Sequence, residues 1–167
     1  MKRCFPCLLL LILTLTGCAV NQNPEFECLS DTLEFSAAPT HYLETALPAE
    51  AVLTTVCDDG CCALFTCGEC EIYQEIFPAE SVDAALRSVT GQTAEQLGAF
   101  RVSDFPGAEY CFAWTAAGEN GLLSCSGTAF FDGEYAYCLT VRCPEELKKE
   151  YESILFDITR TVSFKAV

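Results

Sequence analysis

An α+β fold, an antiparallel β-sheet with packed helices in a single domain, is the class the sequence predicts, and three observations predict it. Runs of alternating polar and apolar residues recur through most of the chain, parted by short turn signals suited to hairpins. Helical spacing replaces this alternation twice, once mid-chain and once near the end. Of 167 residues, 51% are hydrophobic and 20% charged, a balance that excludes a disordered acidic tail or a fibrous repeat. Removing a leader at residues 1–17 leaves enough chain for one ordinary core and too little for two.

The elements follow in order. Leu33, Phe35 and Ala37 alternate with polar or small residues up to Pro39 and predict a first strand. Residues 51–56 and 63–77 carry further strand patterns, the second broken by Gly68-Glu69, a Gly-first pair suited to a type II′ turn. Ser81 is placed to cap a helix carrying Val82, Leu86 and Val89 on one face, with Gly91 as its terminator. Thr93 is placed to cap a short turn through Leu97. Residues 109–114 alternate Tyr110, Phe112 and Trp114 with smaller neighbours, and a loop at 118–121 leads into a strand over 122–131. Asp132-Gly133 predicts a type I′ turn returning through Tyr135, Tyr137, Leu139 and Val141. Pro144 is read as the first residue of a helix whose Leu147, Tyr151, Ile154, Leu155 and Ile158 form an apolar stripe that must dock on the sheet.

This order of a "LEFSAAP" strand, a Ser81-Val82-Asp83 helix ending at Thr90-Gly91, an aromatic meander, a Phe131-Asp132-Gly133 hairpin and a closing helix before Val162-Ser163-Phe164 resembles the PsbP/Mog1-like lipoproteins, over roughly residues 32–164. The resemblance implies an α/β/α sandwich over residues 32–167. It also implies a binding or assembly role, because that family has no shared catalytic residues to carry over.

The start of the chain predicts where the domain works. Lys2 and Arg3 precede an apolar stretch at 8–15 that is too short to span a bilayer, the pattern of a cleavable leader over residues 1–17. Leu15-Thr16-Gly17-Cys18 resembles a lipobox, which makes Cys18 the lipidated N-terminus, with palmitate-type acyl chains as the membrane anchor. Residues 18–31 then form the anchor and a short tether, whose polar segment 19–27 reaches about 30 Å at most. The predicted location is the extracytoplasmic face of the cell membrane, held by lipid. With 24 acidic against 9 basic residues the formal charge is -15, which opposes nucleic-acid binding and the anionic lipid surface. The remaining partner is an unidentified protein or small-molecule ligand.

Thirteen cysteines are the main chemical feature. Cys4 and Cys7 leave with the leader and Cys18 is the anchor, so the domain keeps an even set, which in an exported protein argues for disulfides. Cys67 and Cys70 flank the Gly68-Glu69 turn at bonding separation. Equal arms about Gly118 would set Cys111 opposite Cys125, and the Asp132-Gly133 hairpin would set Cys125 diagonal to Cys138, offering Cys111–Cys125 or Cys125–Cys138. Buried free thiols are a second reading. A third is a metal or redox centre, for which Cys57, Cys61, Cys67 and Cys70 supply four thiolates of the zinc type. Against it, adjacent Cys61 and Cys62 point to opposite faces of a strand, and His41 is the one histidine and lies far off in sequence. Glu69 and Glu71 beside Cys70 disfavour a reactive thiolate.

Catalytic patterns are thin. No Gly-x-Ser-x-Gly elbow or Ser/His/Asp order surrounds His41, which reads as structural. Asp58-Asp59-Gly60 reads as an acidic turn in preference to a calcium site or acid/base pair. Glu145 and Glu146 suit a helix N-terminus. The alternating aromatics read as core in preference to a pocket lining. No cofactor is called for, no catalytic residue is assigned, and the sequence points to a noncatalytic, lipid-anchored binding or assembly module. The alternative is an extracytoplasmic thiol-disulfide or metal-binding protein using the cluster at 57–70.

Overall fold

Alternation of small β-favouring and apolar residues draws about half of the described residues into nine strands. The computed structural model describes residues 39–57, 61–103 and 108–167. The predicted leader, Cys18, the tether, the strand at 33–37 and the Asp58-Asp59-Gly60 turn all lie outside these residues. The order is β1 (His41–Glu44), β2 (Val52–Val56), β3 (Cys62–Cys67), β4 (Cys70–Pro78), α1 (Val82–Thr90), α2 (Ala94–Leu97), β5 (Phe100–Ser103), β6 (Ala108–Gly118), β7 (Gly121–Phe131), β8 (Tyr135–Pro144), a 3-10 turn (Glu145–Leu147), α3 (Lys148–Thr161) and β9 (Ser163–Ala166).

A seven-stranded antiparallel sheet runs β2-β3-β4-β8-β7-β6-β5. Two meanders, β2 to β4 and β5 to β8, meet where β4 pairs with β8, and α1 and α2 carry the chain across one face between them. The small antiparallel ribbon of β1 and β9 was not anticipated. Its strands are four residues each, too short for an alternation signal, and their partners lie at opposite ends of the domain.

Each face of the sheet has its own core. On one, Ile72, Tyr137, Leu139 and Val141 lie under Leu155 and Ile158 of α3 and under Leu43 and Phe164 of the ribbon. On the other, Phe77, Phe112, Ala136 and Cys138 pack against Ala85 and Leu86 of α1. Helices on both faces make the predicted sandwich. Gly127 has no side chain, so the ring of Phe112 on the neighbouring strand lies across it, where a Cβ would collide.

The predicted caps are in place. The Ser81 hydroxyl accepts from the Ala84 N–H at 3.1 Å, and Gly91 ends α1 at φ 76°. Thr93 and Gln96 form a reciprocal capping box on α2. Gly68 has φ 60° while Glu69 after it does not have positive φ, the pattern of a II′ turn between Cys67 and Cys70.

Three local expectations need correction. Asp132-Gly133 does not form a type I′ turn, because Phe131 pairs with Ala136 and only Gly133 of the loop has positive φ. The Asp132 carboxylate shapes this longer loop by accepting from the N–H groups of Glu134 and Tyr135 at 3.0 and 2.8 Å. Pro144 closes β8 in place of opening α3, which starts at Lys148 after the 3-10 turn. Leu147 therefore leaves the stripe, while Tyr151, Ile154, Leu155 and Ile158 pack on the core as expected.

Candidate binding cleft

Because α1 and α2 cover only one end of their face, the other end of the sheet lies open between the β3–β4 and β6–β7 hairpins. A cleft of about 530 Å³ forms there, lined by Leu64, Tyr73, Arg142, Leu122 and Leu147 among others. Glu71 and Arg142 are register partners on β4 and β8, so their side chains project side by side from this face. The Glu71 carboxylate accepts from Arg142 Nε and, at 3.1 Å, from the Tyr73 hydroxyl. The guanidinium lies 4.1 Å from the centre of the Tyr73 ring. With side-chain exposures of 25% for Arg142 and 39% for Glu71, the ion pair adds about 0–1 kcal/mol, and the stacking a similar amount. The three groups hold one another in a fixed polar floor.

The rim is acidic and partly apolar. Glu69, Glu119 and Glu146 surround the mouth, and Leu122 is 57% exposed beside it. The β6–β7 turn positions these groups. Gly118 pairs with Gly121, which sits at φ 147°, so the hairpin closes on Glu119 and Asn120 and aims both at solvent beside the cleft. Sequence reasoning missed this site. The strand alternation placed Glu71 and Tyr73 on a strand and stopped at Val141, one residue short of Arg142, and only the β4–β8 register brings the three together.

The predicted cysteine sites resolve differently. Cys57 and Cys62 form a disulfide, with Cα atoms 5.4 Å apart across the β2–β3 turn. Their positions on either side of the acidic Asp58-Asp59-Gly60 sequence were the available signal. The four-thiolate reading of Cys57, Cys61, Cys67 and Cys70 loses Cys57 to this bond, and no group of three metal-ligating side chains converges among the described residues. Cys67 and Cys70 do face each other across their turn, as thiols.

The other predicted pairings fail on register. The β6–β7 turn centres between Glu119 and Asn120, so Cys111 pairs with Thr128 and Cys125 with Trp114, which puts Cys111 and Cys125 on opposite faces. Cys125 lies across from Arg142 and Cys138 across from Ala129, four residues apart along β8 and out of bonding range.

Electrostatics leave these thiols protonated. Burial, with a smaller contribution from Glu50, raises Cys67. Burial and then the neighbouring Cys143, Cys67 and Glu71 push Cys70 up to about 12. Cys125 is likewise pushed to about 12, mainly by burial, and burial raises Cys111, Cys138 and Cys143. None has the lowered pKa of a nucleophilic cysteine.

His41 stacks on Phe164 with ring centres 4.4 Å apart, and its Nδ1 lies 2.8 Å from the Thr40 hydroxyl and 3.6 Å from Asp132. Hydroxyl and carboxylate thus approach the same ring nitrogen, an arrangement in which the imidazole cannot relay a proton between them. The Asp132 carboxylate also accepts from the Tyr137 hydroxyl at 2.8 Å, so this cluster ties the β1–β9 ribbon to the β7–β8 loop.

No family model matches the chain, and no curated protein matches it in sequence. Among solved structures it is similar to the cyanobacterial PsbP of Synechocystis sp. PCC 6803, at TM-score 0.51 and 7% identity over 78% of this chain and 96% of that one. The fold is therefore PsbP-like. Similarity also extends to LpqN, a protein involved in cell envelope biogenesis of Mycobacterium tuberculosis, at TM-score 0.49 and 6% identity over 78% of this chain and 87% of that one. A protein of Bacteroides thetaiotaomicron matches at TM-score 0.46 and 12% identity, over 74% of this chain and 47% of its own length. No helix among the described residues is long and apolar enough to cross a membrane.

Proposed function

We propose that this protein is a lipid-anchored, extracytoplasmic, noncatalytic module that binds a protein segment or small ligand in the cleft between its hairpins. The observation that carries the reading is the Glu71–Arg142–Tyr73 floor, a preformed polar constellation set among leucines that are half-buried or, at Leu122, exposed, the usual composition of a recognition site. Carboxylates around the mouth favour a ligand with a cationic group. Raised thiol pKa values weigh against a catalytic cysteine, and the shared nitrogen of His41 weighs against a hydrolytic triad. Anchoring rests on the Leu15–Cys18 motif behind a charged leader.

Two measurements on the full chain made in bacterial cells test this. Intact-protein mass spectrometry of the membrane fraction should show acylated Cys18 as the first residue, and Cys18→Ser should release the chain from that fraction. An unlipidated wild type, or a serine variant held equally at the membrane, overturns the anchor. For the cleft, a photocrosslinking residue at Leu122 should give a discrete adduct that disappears with Arg142→Ala. The same probe at Glu95 on α2 should give none. Equal adducts at both positions, or none at Leu122, overturn the cleft as the binding surface.

A further inference from the structure

On the face opposite the cleft, three cysteines stand in one row across adjacent strands. Cys67 of β3 pairs with Cys70 of β4. The β4–β8 register joins Glu71 to Arg142, so the next rung sets Cys70 beside Cys143. All three thiols are buried, at 3%, 0% and 1% exposure. Cys70 and Cys143 belong to the same core.

The two rungs are not equivalent. Along β4 the N–H of Ile76 bonds to Cys61 on the β3 side, while that of Ala79 bonds to Glu134 on the β8 side. Even-numbered residues of β4 thus direct their backbone groups to β3. Cys70 therefore meets Cys67 as a hydrogen-bonded pair and Cys143 as a non-hydrogen-bonded pair, the kind in which the side chains come closer. A disulfide needs short Cβ separations, which favours the second pair over the first. The loop it closes also takes in most of the domain, so its constraint on the unfolded chain far exceeds that of a bond across one turn.

We propose that the oxidised protein carries a Cys70–Cys143 disulfide joining β4 to β8, with Cys67 left as a thiol. Burial and Glu145 raise the Cys143 thiol while Lys148 partly offsets them, and Cys70 is pushed up to about 12, so Cys143 is the more readily ionised of the two and the first sulfur to react. Cys143 attacks a small-molecule disulfide and displaces one thiol. Cys70 then attacks the sulfur of Cys143 in the mixed disulfide and displaces the second. The two protein thiols lose two protons and two electrons, and the reagent leaves as two thiols. The bond lies one rung from Glu71–Arg142, so it pins the backbone beneath the cleft floor. The proposal stands whether or not the cleft binds a ligand.

The test is non-reducing peptide mapping of the full chain after exposure to oxidised glutathione. The expected product links the peptides of Cys70 and Cys143, lighter by two hydrogens, in both wild type and Cys67→Ser. Cys143→Ser should lose the link, and reduction should lower the denaturation midpoint of Cys67→Ser more than that of Cys143→Ser. A Cys67–Cys70 bond in the wild type, another partner for Cys70, or full alkylation of Cys70 and Cys143 after oxidation would overturn it.

Discussion

Glu75 projects from the middle of β4 between Cys62 and Cys138 on the flanking strands, and burial alone raises its carboxyl to about 7. Its folded pKa exceeds the ordinary 4.5, so the native state holds the proton longer than the unfolded chain does. The contribution of Glu75 to stability is then fully present below pH 4.5, falls as pH rises through the window to about 7, and levels off above it. Glu75→Gln should match wild type near pH 4 and exceed it by up to about 3 kcal/mol at pH 8, read from urea midpoints at the two pH values. Gly68 makes a second residue-scale case. Its φ is 60°, and a Cβ there would run into the hydroxyl of Tyr151, which accepts from the Glu69 N–H at 3.0 Å. Gly68→Ala should cost about 1–3 kcal/mol in chemical denaturation. Gly133→Ala, where the added carbon meets open space, should cost less, though its φ of 108° still carries strain.

Among the helices, α3 is the one that covers the first core. Leu155 and Ile158 are buried against the sheet, and the hydroxyl of Thr128 on β7 donates to the Thr159 carbonyl at 3.3 Å. Leu155→Ala removes the contacts and leaves a cavity, so the denaturation midpoint should fall by the equivalent of about 2–5 kcal/mol. An unchanged midpoint would mean that the helix does not hold the sheet. The caps of α1 and α2 depend on side chains within three residues, which is why they were legible in the sequence. Hairpin registers were less so. One turn misplaced by a residue and a half about Gly118 moved Cys125 three positions and to the other face relative to Cys111.

At the scale of the whole molecule, the β1–β9 ribbon draws two distant stretches of the chain together over one face of the sheet. Asp132 is the polar tie. Burial works to raise its carboxyl, but hydrogen bonds from Tyr135, Glu134 and Tyr137, with the nearby His41, together hold it below the usual carboxylate value. A depressed folded pKa stabilises above the unfolded value, and that stability is lost as pH falls through the folded one. Asp132→Asn should therefore flatten the acid limb of the stability curve below about pH 4. It should also speed amide exchange across 41–44 relative to β4. Equal exchange in the variant and wild type would remove Asp132 from this role.

The sequence by itself determined the α+β class, the caps, the II′ turn and the apolar stripe of α3, because each is written in residues a few positions apart. The acidic balance is likewise fixed by composition alone. Only the tertiary structure decided that β4 lies beside β8 and in which register the hairpins pair. The first joins Glu71 to Arg142 in the cleft and sets Cys143 beside Cys70, and the β6–β7 and β7–β8 registers leave the Cys111, Cys125 and Cys138 thiols apart. Side-chain alternation specifies which face a residue takes, yet many strand orders satisfy the same alternation. Which partner it meets is fixed only when two sheet faces are packed against their helices at once.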